Sequence, residues 1–369
     1  MRVLTVNPGS SSLKLSLLDP GDAVASRAQI ATGAGEREAE QVAAAVARMP
    51  APDAVGLRFV HGGRDFLAPT LVDDGVAGRL HALVELAPLH QPLSLYALGE
   101  IRRALPDVPV VACFDTAFHA GLPEAAATYA LPAEWRERFG LRRYGFHGLS
   151  FAHAVRRAGE LLGPAEAGRR MVICHLGAGA SLAAVAGGRS VDTTMGFTPL
   201  EGLVMATRAG SVDPGLPMWL LRHGVPAEEI DDALEHRSGL RGLAGTGDMR
   251  VLRARAGRGD AVAASALDVY HHRLRACAAA MAASLGGLDV LVFTGGVGEH
   301  DPEVRRRAAA DLAFLGAGVD PSANAAVHGD AEITAAGAPV RTLVVEARED
   351  LEIAAGVRAA LRETGAVPR

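Results

Sequence analysis

Hydrophobic and polar positions along the chain alternate in a few recognisable ways. Val3-Leu4-Thr5-Val6 is a run of strand formers, Asn7-Pro8-Gly9-Ser10 is turn chemistry, and Leu13, Leu15 and Leu17 then alternate with Lys14 and Ser16. That pattern predicts a strand, a small-residue turn and a return strand. Residues 171 to 192, MVICHLGAGASLAAVAGGRSVD, repeat it around a second glycine turn. Residues 289 to 301, DVLVFTGGVGEHD, give a weaker third version: an apolar strand that ends in a glycine loop before a helix over about 302–314. Between these landmarks the apolar spacing predicts helices near 36–48, 92–104, 150–162, 215–235, 261–284 and 350–363, and strands near 54–60, 109–114 and 340–346. Helices and strands that alternate in this way make an α/β chain with central sheets.

Composition narrows the class. The chain has 369 residues, long enough for two domains, and 49% of them are hydrophobic, enough for a sizeable core. A net charge of -5 without a long run of one sign argues against nucleic acid and against a membrane surface as partners. The longest apolar stretch, Ala276 to Phe293, contains Gly286, Gly287 and Asp289, and so reads as a buried helix, a turn and a buried strand. MRVLTVN turns polar too early for a signal peptide. Three scattered cysteines, Cys113, Cys174 and Cys277, form no CxxC pair and suit a reduced, cytoplasmic protein.

Two strand–turn–strand units, one in each half, suggest a duplicated domain with a nucleotide in the cleft between the copies. Such turns bring backbone N–H groups and serine hydroxyls close to an anion. There is no GxxxxGK[ST], so phosphates have no P-loop to bind. Four polar residues stand beside apolar strands and glycines: Arg58 in GLRFVHGG, Asp115 in VACFDTAFH, His147 in YGFHGLS and Arg208 in MATRAGSVDPG. A lone arginine is more often a solvated charge and a lone histidine more often a satisfied core group. The repeated placement beside glycine and apolar residues points instead to a cleft. Lys14 is the only lysine among 37 basic residues, and it sits directly behind the first turn.

Read together, these stretches resemble the acetate kinase family of acyl-phosphate-forming kinases. NPGSSSLK is similar to its first phosphate loop, and VFTGGVGE to its adenosine loop. FDTAFH, YGFHG, HLGAGAS, VDTTMGFTPLEGL and TRAGSVDPG are close to its signatures, in the family's order from Val3 to Ile353. The resemblance implies a duplicated actin/sugar-kinase/Hsp70-like (ribonuclease H-like) fold with an active-site cleft between the domains. The domains would be 1–118 plus 351–369, and 119–350, with the last helix folding back on the first. It implies reversible, in-line transfer of the ATP γ-phosphoryl group to acetate.

Roles follow by resemblance. Arg58 would hold the carboxylate, Arg208 would bridge it to the transferring group, and His147 would donate to the equatorial oxygens. Asp115 would be the catalytic aspartate. It would either move a proton or orient Arg208 and metal-bound water. Val60, Leu89, Phe146 and Pro199 would form the wall around the methyl group. Mg²⁺, with Mn²⁺ as a substitute, would lie near Asn7 and Glu349. ATP or ADP would contact Ser10, Ser12 and Lys14, then His175, Leu176, Gly177, Ala178 and Gly179. It would also contact Asp248, Met249 and Arg250, and Gly296, Val297, Gly298, Glu299 and His300. The family also implies a homodimer.

Several positions depart from the family's pattern. Leu57 stands where histidine is usual, Ala178 and His300 stand where asparagine is usual, and HQP at 90–92 replaces HNP. Ala178 matters most, because an amide near the phosphates is lost. Two other readings stand beside acetate kinase. One is a kinase for propionate or butyrate. The other is a nucleotide-binding switch of the same fold, which would not need Arg58, His147 and Arg208.

Overall fold

The computed structural model describes residues 1–9, 12–31, 36–163 and 169–365, so the expected phosphate contact Ser10 lies outside the described residues. The chain divides into two compact units. The first comprises Met1–Ala120, Phe146–His153 and the residues from Arg348 on; the second comprises Gly121–Gly145 and Ala154–Ala347. This division differs from a simple break at 118 and 350 chiefly through Phe146–His153. The Gly148 N–H donates to the Asp115 carbonyl at 2.9 Å, and a His119 ring nitrogen lies 3.1 Å from the Phe146 carbonyl. Both bonds draw that segment into the first unit.

The strands of the first unit are β1 (Val3–Pro8), β2 (Ser12–Leu18), β3 (Val24–Ala31), β4 (Ala54–Phe59), β5 (Thr70–Leu71) and β6 (Val110–Phe114). Those of the second are β7 (Arg170–Leu176), β8 (Ala180–Ala186), β9 (Arg189–Thr193), β10 (Val290–Thr294), β11 (Ala331–Glu332) and β12 (Arg341–Val344). The first sheet runs β3-β2-β1-β4-β6-β5, and the second, read from its far edge, runs β9-β8-β7-β10-β12-β11. Strand directions match pair for pair. In each unit an antiparallel hairpin is followed by three mutually parallel strands and a short antiparallel edge. The two glycine turns are therefore the visible part of a complete architectural repeat.

Strand alternation decides what faces what in the first unit. On β6, Val110, Ala112 and Phe114 join one core, while Val111 and Cys113 join another on the opposite face. The helix Gln91–Ala104 adds Ala97, Leu98 and Ile101 to the first core. The helix Glu349–Glu363 adds Ile353, Ala354, Val357 and Leu361 to the second. On β4, Val55, Leu57 and Phe59 point into the first core. Ala54, Gly56 and Arg58 therefore share the face covered by Glu349–Glu363. Leu57, one of the departures, is a core side chain with no exposure.

Two sequence expectations need correction. The helix over 215–235 is broken into Gly215–Arg222, Ala227–Asp232 and a short wide turn, Ala233–Arg237. Gly224 has φ +84°, and Pro226 can donate no hydrogen bond, so the helix cannot continue through them. The glycine loop after β10 is a short helix, Gly295–His300. Among the described residues no helix is long and apolar enough to cross a membrane.

Gly56 is where the last helix comes closest to the sheet. A Cβ there would lie 2.3 Å from Ile353 Cγ2 and 2.7 Å from Val357 Cγ2. Gly56→Ala is therefore expected to push Glu349–Glu363 off β4 and lower stability by about 1–3 kcal/mol. Urea unfolding followed by circular dichroism measures it; an unchanged midpoint would contradict this packing.

Candidate active site

The parallel strands β1, β4 and β6 deliver three polar side chains at their carboxyl ends: Asn7, Arg58 and Asp115. Ligands of open α/β sheets bind at that end. Glu349 joins them from the first turn of the last helix. Asp115 accepts from Arg58 Nε at 3.0 and 3.2 Å and from Arg58 Nη2 at 2.6 Å. Arg58 Nη1 donates to Asn7 Oδ1 at 2.9 Å and lies 3.8 Å from Glu349 Oε2. Asn7 Nδ2 in turn donates to Glu349 Oε2 at 2.6 Å. The Asp115 side chain is 1% exposed, and Arg58 and Glu349 are about 15% exposed.

Two carboxylates, Asp115 and Glu349, act on the one guanidinium of Arg58. Burial opposes the Arg58 charge, but Asp115 and Glu349 outweigh it and hold the guanidinium firmly protonated. Burial pushes the Asp115 carboxyl up, Arg58 pulls it back, and Glu349 adds to the rise, for a net upward shift. Asn7 and Glu349 supply the hard oxygen donors that Mg²⁺ takes when waters and phosphates complete its shell. The donor set fits that ion.

His147 follows in the same unit. Its φ of +57° is unusual for a residue with a side chain, and its carbonyl accepts from Phe151 N at 3.0 Å as the helix Gly148–Leu162 begins. The methyl-wall residues separate. Val60 and Phe146 are buried, whereas Leu89 is 44% exposed. The segments that carry these three are tied through His61. Its ring meets Phe146 edge-on at 5.6 Å, and its carbonyl accepts from the buried Gln91 at 3.2 Å. Gln91, read from sequence only as a departure, is a structural link.

In the second unit Arg208 stands in a closed loop, since Gly202 and Ser211 bond each other by Ser211 N to Gly202 O at 3.0 Å and Gly202 N to Ser211 Oγ at 3.1 Å. Arg208 Nη1 donates to the carbonyl of the buried Pro199 at 2.9 Å, and Nε lies 3.6 Å from Glu235. Burial lowers the Arg208 pKa against that attraction and raises Glu235. The motif reading did not single out Glu235; EHRSG carries no signal that would have found it.

The expected nucleotide segments converge in part. The turn between β7 and β8 is closed by Gly177 N to Gly179 O at 3.0 Å, and the Ala178 carbonyl accepts from Ala206 N at 3.1 Å. Gly247, just before Asp248, packs on Ala206, where a Cβ would come within 2.8 Å of its carbonyl. Gly295, φ +77°, packs equally closely on the Leu176 carbonyl, which joins Gly295–His300 to the same turn. Asp248 caps the helix Met249–Ala256 by accepting from Arg250 N at 2.9 Å, while Met249 is buried and Arg250 exposed. Glu299 Oε1 accepts from Ala347 N at 3.0 Å, and His300 is exposed. His175 is half-buried in the β7 ladder. In the first unit, Ser12 is buried at the start of β2 and accepts from Gln29, while Lys14 is exposed opposite Asn7.

Burial lowers the pKa values of His61 and His119 from 6.5 to about 4. Both are neutral in the folded chain at neutral pH, whereas an unfolded chain takes up these protons near pH 6.5. Their contribution to stability is thus complete above pH 6.5 and is lost as pH falls towards 4. The thermal midpoint should drop across that window, and His61→Gln should flatten the drop; a midpoint constant from pH 6.5 to 4 would contradict the neutral assignment.

Comparison with known proteins gives the family. The family model described as the acetokinase family matches residues 38–355. An acetate kinase of Clavibacter michiganensis subsp. michiganensis is 44% identical, with 95% of this chain and 97% of that protein covered. One from Synechococcus sp. is 49% identical over 81% of this chain and 74% of that one. The crystal structure of Porphyromonas gingivalis acetate kinase superposes with a TM-score of 0.89 at 33% identity, covering 98% of this chain and 99% of that one. A propionate kinase from Francisella tularensis gives 0.87 at 31% identity, covering 96% and 98%. With the family model spanning most of its length and relatives this similar, the chain belongs to the acetokinase family.

Proposed function

We propose that this chain transfers the γ-phosphoryl group of ATP to the carboxylate of acetate, giving acetyl phosphate and ADP, and works as an acetate kinase. The observation that carries the reading is the Arg58 cluster. Acetate is already ionised at neutral pH, so no strong base is required. The difficulty is repulsion between an anionic nucleophile and an anionic phosphate. Arg58 has five N–H donors, and Asp115 and Asn7 engage Nε and one proton on each terminal nitrogen. A proton on each terminal nitrogen is left to grip a carboxylate. In this reading Asp115 orients Arg58, and its two-point contact supports that role over proton transfer. Arg208, aimed by Pro199, stabilises the transferring group, and His147 donates to its equatorial oxygens.

Asn7 and Glu349 would hold Mg²⁺, which would neutralise phosphate charge when bound. Ser12, Lys14, the 175–179 turn, 248–250 and 296–300 would contact the nucleotide. Val60, Leu89, Phe146 and Pro199 would set acid size. A small apolar pocket discriminates by only about 1–3 kcal/mol per methylene, so propionate is a poorer second substrate. Leu216, Met218, Trp219 and Leu221 stand exposed on one short helix, which supports a homodimer; three free thiols, two of them buried, support a cytoplasmic setting.

The test is acyl phosphate formation from ATP with acetate, propionate and butyrate, trapped by hydroxylamine; no trapped product with any acid would reject the reading. Arg208→Ala should cut kcat by roughly 10²–10³-fold with little change in ATP binding. Arg58→Ala should do the same and also cost about 3–5 kcal/mol of stability, because it leaves Asp115 buried without its partner. Near-normal turnover in either variant would remove the assigned role.

Ala178 offers a gain-of-function test. Ala178 is exposed at the turn, which leaves room for a longer side chain. Ala178→Asn should raise kcat/KM for ATP about tenfold, as a restored hydrogen bond to a charged group would, and leave KM for acetate unmoved. A neutral or harmful effect would mean that the phosphate site is built around alanine.

A further inference from the structure

FDTAFH contributes Asp115 to the site, but its last residue has had no part in the reaction so far. His119 has no exposed surface. Its ring is wedged edge-on between Phe118 and Phe151, at centroid distances of 5.3 and 5.5 Å. Nε2 lies 3.1 Å from the Phe146 carbonyl oxygen. A carbonyl can only accept, so Nε2 carries the proton and donates it.

We infer that His119 is a positioning residue for phosphoryl transfer: its Nε2–H holds the Phe146 carbonyl and thereby fixes the left-handed turn on which His147 stands. The inference rests on the role proposed above for His147. Its physical basis is the planarity of the peptide bond. The Phe146 carbonyl and the His147 N–H belong to one rigid plane. Fixing that oxygen fixes the plane, and the plane sets φ of His147. That φ is +57°, a conformation that a residue with a side chain rarely keeps unless its surroundings impose it.

The far side of His147 is tied just as firmly. Gly148 N donates to the Asp115 carbonyl at 2.9 Å, and a Cβ on Gly148 would come 2.0 Å from that same oxygen. His147 is thus clamped between two bonds, both anchored in FDTAFH: one to the backbone of Asp115, one to the ring of His119. The carboxylate that orients Arg58 and the turn that aims His147 are set by one five-residue segment, Asp115 to His119. Arg58 and His147 are registered together by it. An apolar residue of similar volume at 119 would fill the space but leave the 146–147 plane free to rotate.

The test compares His119→Leu with His119→Gln, since a glutamine amide can present an N–H at the reach of Nε2. Misplacement on the ångström scale costs up to about 100-fold in rate. His119→Leu should therefore lower kcat by about 10–100-fold while KM for ATP stays within about twofold, and His119→Gln should return kcat to within about threefold of the parent. Both variants disturb the same aromatic wedge and should lose thermal stability alike, so a merely structural histidine would show no rescue. Parent-level kcat in His119→Leu, or equal losses in both variants, would overturn the inference. If the variants do not fold, ¹⁵N NMR of the parent chain decides. A proton on Nε2 supports the inference and a proton on Nδ1 alone overturns it. His147→Ala at the parent rate would remove the role of His147 and this inference with it. A parent chain that forms no acyl phosphate would instead reject the proposed function.

Discussion

The contact between Arg58 and Asp115 is the constraint around which the first unit is organised. Taking two charges out of water costs several kcal/mol each, and only good geometry with further hydrogen bonds offsets that. Here the guanidinium meets one carboxylate by two nitrogens, an amide by the third, and a second carboxylate at longer range. Much else follows from housing this group. Arg58 lies on the face of β4 that the last helix covers, so its neighbour on that face, Gly56, has no room for a side chain. The same helix must begin near Arg58 to bring Glu349 into place. Glu349 then meets both Asn7 and Arg58.

The duplicated sheet explains why the chemistry collects where it does. In both units the three central strands are parallel, so their carboxyl ends lie side by side. In the first unit those ends present Asn7, Arg58 and Asp115. In the second they present the β7–β8 turn and the Gly295–His300 helix. The same scaffold thus offers charged side chains in one copy and close backbone approach in the other. Glycine at 295 and 247 belongs to this second use, because each lies against a carbonyl at a distance no side chain would permit.

The departures from the family's pattern have different physical weights. Leu57 lies on the core side of β4 and packs there without exposure. Gln91 is buried and bonded to the His61 carbonyl, so it serves as a brace near the residues assigned to acid size. His300 lies exposed at the end of its short helix. The turn at Ala178 is closed by its flanking glycines, with Gly177 N donating to Gly179 O, and Ala178 brings no polar side chain to it.

The sequence by itself determined the strand–turn–strand repeat and most of the helices and strands between, and it singled out Arg58, Asp115, His147 and Arg208 as candidates. These were legible because they rest on local signals: alternation of Leu13, Leu15 and Leu17, glycine at turns, and polar residues at the ends of apolar runs. It overran the helix from 215 to 235, since apolar spacing outweighed Gly224 and Pro226, and it read GGVGEH as a loop because glycines disguise a helical turn. What only the tertiary structure decided are the pairings across long separations. Asn7 meets Glu349 across 342 residues; Arg208 is set beside Glu235, and His119 holds the carbonyl of Phe146. No periodicity encodes those contacts. They arise when parallel strands bring distant segments to one edge, and when burial forces each polar group there to find a partner.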